Sequence, residues 1–358
     1  MNEQNTPADA PRVREMLTVS RQQTLLGCPR KHYWRYERKL VAVSETSALR
    51  FGSAFHAALE ARFKGASYGE AFEAALGSSQ EIPELEAAIL SALLAAYYEH
   101  YGDTETIFAD MQPEVAFRFA MERSLTFDVA GKVDGVGHTP DGRVAIIEHK
   151  TTGEDIGSDS DYWQRLLFNA QLCQYVDGVR RLYPDVDLVI YDVIRKPAIK
   201  PLSAVPVLDE AGLKQVVDAE GNRVYKKNGE PKQTADKDKG ESVLSEPESA
   251  EQFRTRLYFD ALHRPEFYFQ RREVPVLQDN IAAFLEQRIV LGKMILAFRQ
   301  NEKRVRDPAD AWPRNCNGFA CRNCEYSSFC LQNGHPDENY CPPGFEFVSD
   351  PNTELKGI

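Results

Sequence analysis

The chain has 358 residues, which is enough for one large domain or two, and 42% of them are hydrophobic, which suffices for a core. Its net charge of -11 disfavours indiscriminate binding of nucleic acid over the whole surface, because DNA affinity depends on cations that neutralise phosphates. The N-terminus lacks the apolar segment of a signal peptide, and the longest apolar stretch, Ala87–Tyr98, is too short to cross a bilayer. These features exclude a membrane protein and predict a soluble, cytoplasmic one.

The N-terminal part divides into a polar stretch, predicted to be disordered over residues 1–15, and a basic segment from Ser20 to Leu40. Six basic residues stand there against one acidic residue, and three aromatic residues lie between them. One interpretation is a groove for a nucleic-acid strand, in which cations hold phosphates and aromatic rings stack on bases. The other is a helix whose aromatic side chains pack in the core. The first interpretation makes these residues the DNA-binding candidates: Arg30, Lys31, Arg35 and Arg38.

A helix is predicted over residues 50–63, where Phe55, Leu59 and Phe63 recur at helical spacing. His56 lies beside this apolar stripe, so a helix packed on a sheet could direct its imidazole towards other polar residues. The stretch Tyr68–Tyr101 that follows is predicted to be a helical insertion.

Three strands are predicted next, and two of them carry charged residues near their ends: Glu114–Phe119, Phe127–Val136 and Arg143–Thr151. Asp134 and Glu148 lie where the second and third strands end together, so both carboxylates could reach one divalent cation. Lys150, two residues after Glu148, points to the same face. This set is chemically suited to cleaving phosphodiester bonds. Glu114 is a weaker candidate, because a glutamate on an edge strand usually faces solvent.

A second helix is predicted over Trp163–Leu182, where Gln171 and Tyr175 lie one turn apart on the same face. A closing strand, Asp187–Ile194, follows it. The next elements are a hairpin, a mobile loop, a helix, a strand and a long helix: Val216–Asp218 with Arg223–Tyr225, Asn228–Ala250, Glu251–His263, Glu266–Val276 and Asn280–Phe298.

Cysteines suggest a second site near the C-terminus. Cys321, Cys324 and Cys330 form a C-x2-C-x5-C pattern, and Cys28 stands alone near the N-terminus. Four thiolates can hold an iron-sulfur cluster or a tetrahedral zinc ion. Cys316 gives a second workable spacing and could replace Cys321.

The other two of the seven cysteines have simpler predicted roles, Cys173 as a buried small hydrophobe on its helix and Cys341 as a tail thiol. Metal-type spacing indicates a reducing compartment rather than a disulfide framework.

An ordered set of residues carries a resemblance to a known family: His56 on a first helix, Asp134, Glu148-x-Lys150, then Gln171 and Tyr175 on a helix. Together with the cysteines, this order resembles the PD-(D/E)XK nucleases of the RecB and AddB branch, over residues 20–195 and the C-terminal cysteines. The pattern of one N-terminal and several C-terminal cysteines is similar to the iron-sulfur staple of AddB-type nucleases and of the nuclease used in CRISPR spacer acquisition. Where the family name has Pro-Asp, this chain has Val133-Asp134, a departure that is frequent in that branch.

The resemblance implies an α/β fold of the restriction-endonuclease type, with a mixed central sheet flanked by helices, helical insertions and a C-terminal iron-sulfur region. It also implies a metal-dependent DNA nuclease, most simply an exonuclease, that serves DNA processing, recombination or repair. Phage and mobile-element nucleases of this branch are the relatives of similar size.

Roles for individual residues follow from the same resemblance. Asp134 and Glu148 would bind Mg²⁺ or Mn²⁺, with His56 and the backbone carbonyl of His149 as further ligands. Lys150 would orient or deprotonate the attacking water and stabilise developing charge. Gln171 and Tyr175 would hold the scissile phosphate or the lysine by hydrogen bonds.

A 4Fe-4S cluster is the cofactor that the cysteine pattern implies, with zinc as the less favoured alternative. Its ligands would be Cys28, Cys321, Cys324 and Cys330, with Cys316 as the alternate.

Two rival functions stay open. One is a catalytically idle module that binds DNA ends while a partner helicase supplies the activity. The other is an RNA-processing nuclease with a zinc staple. The expected partner is DNA, as single strands or duplex ends, with a helicase or recombination protein as a second partner. The chain has no G-x4-G-K-[ST] motif, so any unwinding would come from another protein.

The predicted organisation has five parts: a disordered N-terminus at 1–15, a nuclease core at 16–195 with a helical insertion at 68–101, a hairpin and mobile-loop insertion at 196–265, a C-terminal helix and cysteine region at 266–335, and a tail at 336–358.

Overall fold

A computed structural model gives the fold of the chain and describes residues 13–44, 46–79, 82–102, 109–166, 169–316, 318–331, 336, 340–352 and 355. The strands in chain order are β1 (Glu15–Leu17), β2 (Leu40–Ala42), β3 (Ala109–Ala120), β4 (Phe127–His138), β5 (Val144–Thr152), β6 (Val186–Arg195), β7 (Val205–Pro206), β8 (Val216–Val217), β9 (Ser242–Val243), β10 (Ser245–Glu246), β11 (Phe269–Val274) and β12 (Phe345–Phe347). The helices are α1 (Val19–Gly27), α2 (Pro29–His32), α3 (Ser47–Phe63), α4 (Tyr68–Gly77), α5 (Glu84–Tyr101), α6 (Asp161–Leu166), α7 (Ala170–Val179), α8 (Ala250–His263), α9 (Pro265–Tyr268), α10 (Gln278–Glu302), α11 (Gly318–Arg322) and α12 (Ser327–Cys330).

A mixed sheet of six strands lies at the centre, in the order β1-β4-β5-β6-β11, with β3 also paired to β4. The β1-β4 and β5-β6 pairs are parallel, and the other pairs are antiparallel. This confirms the predicted fold class. The predicted closing strand, β6, does not close the sheet, because β11 pairs along its outer side.

Helices cover the sheet on two sides, and each side has its own apolar core. One core joins Phe127, Val133 and Tyr191 of the sheet to α7 and α10. The other joins Phe55 of α3 to α5, α8 and the sheet residues Ile194 and Phe269. Because both faces of the sheet are covered, β5 is buried from Ala145 to His149 and β6 from Leu188 to Ile194.

Capping residues set where the functional helices begin. The hydroxyl of Thr46 accepts the Leu49 N–H at 3.3 Å and starts α3 at Ser47, slightly earlier than predicted. The helix predicted over Trp163–Leu182 is divided, because Asn169 caps α7 by accepting the Gln171 N–H at 2.8 Å. The predicted insertion at 68–101 consists of α4 and α5.

The insertion after β6 differs from its prediction. The expected hairpin forms, with Val217 bridged to Arg223, but short strands and turns replace the mobile loop expected at 228–250. Three similar turns follow one another, each with a glycine at positive φ: Gly212, Gly221 and Gly229. The third turn lies inside the predicted loop, where glycine permits a backbone conformation that other residues rarely adopt.

The two termini contribute to the described fold. Residues 1–12 of the predicted disordered segment lie outside the described residues, whereas Glu15 begins a strand of the central sheet. In the predicted tail, β12 pairs with β2. None of the helices within the described ranges is long and apolar enough to cross a membrane.

Candidate active site

One cleft of about 690 Å³ contains every side chain that was predicted to be catalytic, together with the predicted metal ligand His56. It lies between α3 and α7, where β4 and β5 separate from each other. The prediction that both strands end at these residues is wrong, because β4 continues to His138 and β5 to Thr152. The predicted residues that line the cleft are His56, Asp134, Glu148, Lys150, Gln171 and Tyr175.

The cleft opens where two antiparallel strands stop pairing. The last paired residues of β4 and β5 are Gly135 and Ile147, and Asp134 and Glu148 are the next residues on each strand. Beyond that point the carboxylate of Asp134 accepts the backbone N–H of His149 at 2.7 Å. The Asp134 side chain thus accepts an N–H that a backbone carbonyl would have accepted if the strand pairing had continued. This hydrogen bond fixes the orientation of the carboxylate.

Helix α3 brings His56 to the same carboxylate. Its Nδ1 lies 3.1 Å from Oδ1 of Asp134. Burial alone would raise the pKa of Asp134, but the charge and hydrogen bond of His56 outweigh burial and hold this pKa low. Burial likewise acts to lower the pKa of His56, and the charge of Asp134 raises it instead. Asp134 is therefore ionised at neutral pH.

Glu148 and Lys150 form an ion pair, with Nζ 2.9 Å from Oε2. The Glu148 side chain is 3% exposed, and its Oε1 is buried without a hydrogen-bond partner in the described part of the chain. Burial raises the pKa of Glu148 to about 7, and the charge of Asp134 acts in the same direction while Lys150 opposes it. The pKa of Lys150 is raised, because Glu148 and Asp134 outweigh the opposite effect of burial. Lys150 is thus a cation in this arrangement.

Helix α7 closes the other side of the cleft. The amide of Gln171 donates to the hydroxyl of Tyr175 at 2.8 Å, so the two predicted residues act as one polar pair. Two glycines that sequence reasoning missed let α7 approach the sheet, because the ring of Phe117 occupies the space beside both. A Cβ atom would lie 2.3 Å from this ring at Gly178 and 2.5 Å from it at Gly131. A single sequence carries no signal for this packing, which involves three separate elements.

Lys132 is a further cleft residue that was not predicted. It lies on β4 two residues before Asp134, and it forms an ion pair with Glu114 of β3. The two-residue period of a strand is the signal that could have found it. Glu114 is consequently paired rather than simply solvated.

The side chain of His149 points away from the cleft. Its Nδ1 lies 2.8 Å from Oδ2 of Asp192 on β6, and its ring stacks on Phe63 with the centroids 5.5 Å apart. Only the backbone of His149 faces Asp134, which is compatible with the predicted use of a backbone atom rather than the ring.

The donor atoms of the cleft suit a hard divalent cation. No group of three or more His, Cys, Asp or Glu side chains within the described ranges is arranged to hold a metal ion. However, Mg²⁺ is commonly held by one or two carboxylates while it keeps several waters. The unpartnered Oε1 of Glu148, beside the ionised Asp134, supplies such oxygens.

A second cavity, of about 420 Å³, is lined by all five cysteines that were considered as cluster ligands: Cys28, Cys316, Cys321, Cys324 and Cys330. The thiol of Cys28 accepts the Asn315 N–H at 3.4 Å, and the thiol of Cys321 lies 3.6 Å from the Asn315 carbonyl oxygen. Burial raises the pKa of the Cys324 thiol. The structure brings the cysteines around one space but does not arrange them as ligands. The remaining two match their predictions, since Cys173 is buried and Cys341 is exposed.

The N-terminal basic segment corrects one set of predictions. Arg30 is 3% exposed, and its guanidinium binds the Trp312 carbonyl and Asp310 at 3.0 Å each, so it is held inside the protein rather than presented to a phosphate. Lys31 forms an ion pair with Glu325 at 2.9 Å. The aromatic residues that could have stacked on bases are buried as well: Tyr33, Trp34 and Tyr36. The core-packing interpretation is the correct one for these rings. Lys31, whose side chain is 33% exposed, stays a DNA-binding candidate together with Arg35 and Arg38.

Comparison with known protein families agrees with this geometry. A family model described as the PD-(D/E)XK nuclease superfamily matches residues 16–331. Among solved structures, a candidate exonuclease from Eubacterium rectale is 12% identical, with 91% of each chain covered and a TM-score of 0.47. A protein named SSO0001 is 14% identical over 62% of this chain and 78% of its own, with a TM-score of 0.20. No protein of curated function matches the chain significantly. The matched span covers most of the sequence, and the chain belongs to the PD-(D/E)XK nuclease superfamily.

Proposed function

We propose that this protein is a metal-dependent deoxyribonuclease that acts as an exonuclease on single strands or duplex ends. The observation that carries the proposal is the joint placement of Asp134, Glu148 and Lys150 where two neighbouring strands stop pairing, facing one cleft. An idle DNA-binding module has no chemical need of both carboxylates and the lysine. DNA processing in recombination or repair, with a helicase as partner, is the setting that this activity fits.

The proposed cation is Mg²⁺ or Mn²⁺, which nucleases of this superfamily generally use. Asp134 and Glu148 would hold it, with His56 and the backbone carbonyl of His149 as further ligands. When bound, such a cation lowers the pKa of a water molecule and neutralises charge on the phosphate.

The side chains around the cation would stabilise developing charge and position the substrate. The Lys150 ammonium, already held at 2.9 Å by Glu148, stabilises negative charge that develops on the phosphate and orients the attacking water. The Tyr175 hydroxyl and the Gln171 amide donate hydrogen bonds to a phosphate oxygen or restrain the lysine. The cleft volume of about 690 Å³ leaves room for a nucleotide beside these groups.

The test uses purified protein with Mn²⁺ or Mg²⁺ and linear DNAs that are labelled and chemically blocked at one end or the other. An exonuclease shortens only the molecules with an accessible end, and a chelator stops the reaction. Internal cuts in DNA blocked at both ends would replace the exonuclease proposal by an endonuclease. Cleavage of RNA but not of DNA would support the RNA-processing alternative, and binding without cleavage would support the idle module.

The second part of the proposal is a structural 4Fe-4S cluster held by Cys28, Cys324, Cys330 and either Cys321 or Cys316. Five thiols around one cavity of about 420 Å³ support it. Protein purified without oxygen is expected to be brown and to contain about four irons per chain. Colourless protein with one zinc per chain would replace the cluster by zinc.

A cluster at this place would reinforce an existing junction. The N-terminal segment already meets the C-terminal region through Lys31 and Glu325, and through the Tyr326 hydroxyl, which donates to the Leu40 carbonyl at 2.7 Å. Joining residues 28 and 330 through a metal centre closes a loop of about 300 residues, which the polymer estimate values at several kcal/mol.

A further inference from the structure

A buried network of polar side chains lies behind the cleft, on the opposite face of the strands from Glu148 and Lys150. Asp192 of β6 is its centre. Oδ1 of Asp192 accepts from Nε of Arg271 at 3.0 Å, and Oδ2 lies 2.8 Å from Nδ1 of His149 and also bonds the hydroxyl of Tyr97. Arg271 in turn donates to the Tyr97 hydroxyl at 2.6 Å. These four side chains come from β5, β6, β11 and α5.

The network is costly to bury. The Asp192 carboxylate is 0% exposed, and His149 is 2% exposed. A buried carboxylate loses its hydration, and apolar residues of similar volume would often stabilise a core at least as well. Hydrogen bonds are directional, so, unlike apolar contacts, they fix the orientation of the groups that they join.

His149 connects this network to the candidate active site in two ways. Its backbone N–H donates to Asp134 at 2.7 Å, while its ring stacks on Phe63 at the end of α3, the helix that carries His56. The rings of His149 and His56 are 6.1 Å apart and nearly perpendicular. His149 therefore contacts both elements that supply groups to Asp134.

We infer that His149 and Asp192 are positioning residues of the metal site. The hydrogen bond between their side chains fixes the His149 ring between β6 and α3. A fixed ring holds the His149 peptide, whose N–H orients Asp134. It also sets the distance between His56 on α3 and the strands. The inference rests on the proposed function, because it concerns the geometry of the cation ligands.

The test measures Mn²⁺ affinity by calorimetry in folded protein without DNA, and melting temperature in parallel. His149→Phe keeps a ring against Phe63 and removes Nδ1, whereas Asp192→Asn keeps the shape of its side chain and removes its charge. Both are expected to weaken Mn²⁺ binding by about tenfold, the lower end of the effect of residues that orient metal ligands. The matched control is Arg288→Met, which breaks another buried ion pair, to Asp177 at 3.0 Å between α10 and α7.

Arg288→Met is expected to lower the melting temperature while Mn²⁺ affinity stays unchanged. Affinity within twofold of wild type in folded His149→Phe and Asp192→Asn would overturn the inference. If one of these two variants fails to fold, the Mn²⁺ affinity of the other decides. Asp134→Ala distinguishes failure of this inference from failure of the proposed metal site. If Asp134→Ala loses Mn²⁺ binding while His149→Phe binds Mn²⁺ normally, the positioning role is refuted and the metal site stands. Normal binding in Asp134→Ala refutes the metal site itself and the inference with it.

Discussion

The cleft and the cysteine cavity both gather residues that are far apart in sequence, but different forces organise them. In the cleft, the register of β4 and β5 sets the places of Asp134 and Glu148, and bonds of 2.7 to 3.1 Å hold the polar atoms. Around the cysteine cavity, four thiols lie on two short helices, α11 and α12, or on the segments beside them, and Cys28 lies between α1 and α2. Sheet pairing fixes the first site, whereas short helices and the segments around them carry the cysteines of the second.

The two regions should therefore respond differently to loss of their ligands. Removing a cation from the cleft should leave the carboxylates in place, because protein donors already hold them. Removing a cluster should loosen the junction between the N- and C-terminal segments, which then depends on contacts such as the one between Lys31 and Glu325.

The largest expected effect is on catalysis in the cleft. Lys150→Met removes the cation nearest to Glu148 and should lower the cleavage rate by about 10²–10³ when it is assayed at a temperature at which the variant is folded. Lys132→Met is the matched control, because Lys132 lines the same cleft but is paired with Glu114, which is not a proposed cation ligand, and its loss should lower the rate far less. Steady-state cleavage of labelled DNA measures both, and equal rates for Lys150→Met and wild type would remove Lys150 from the catalytic set.

The next effect concerns the cysteine cavity. Cys28→Ser, Cys324→Ser and Cys330→Ser should each lose the bound metal, lower the melting temperature by several degrees and weaken DNA binding. Cys173→Ser and Cys341→Ser should retain the bound metal. Iron analysis after anaerobic purification decides between Cys316→Ser and Cys321→Ser, since the variant that keeps its iron has not lost a ligand. Full iron content in Cys28→Ser would contradict the proposed junction.

A smaller effect is expected for His56→Ala. Loss of the imidazole should raise the Mn²⁺ concentration needed for half-maximal activity severalfold and shift the preference towards Mg²⁺, because nitrogen ligands favour Mn²⁺ over Mg²⁺. Activity titrated against each metal measures this shift. A curve identical to that of wild type would leave His56 as an ordinary helix residue.

The smallest effect is expected for Tyr175→Phe, which keeps the ring and removes only the hydroxyl that accepts from Gln171. One hydrogen bond contributes about 0.5–1.5 kcal/mol, so the cleavage rate should fall by about 2–10-fold. A loss as large as that of Lys150→Met would give Tyr175 a direct part in the chemistry.

Local sequence patterns predicted the central residues of the cleft, because each pattern lies within a single strand or helix. The two-residue period of strands places Glu148 and Lys150 on one face, and helical spacing places Gln171 beside Tyr175. Contacts between distant segments were not predictable in this way. The partners of Arg30 lie about 280 residues away, at Asp310 and Trp312, and they turn a candidate phosphate ligand into a buried structural side chain. The space shared by Gly131, Gly178 and Phe117 likewise exists only after the sheet and α7 have packed together.

The most direct test of the central claim compares wild type with Glu148→Ala in cleavage of linear DNA at saturating Mn²⁺, after both have been shown to melt at similar temperatures. The account predicts metal-dependent cleavage by wild type and a loss of at least about 10²-fold in the variant, because Glu148 supplies a buried carboxylate oxygen for which the described residues offer no hydrogen-bond partner. Cleavage by Glu148→Ala at the wild-type rate would contradict the assignment of this cleft as the active site.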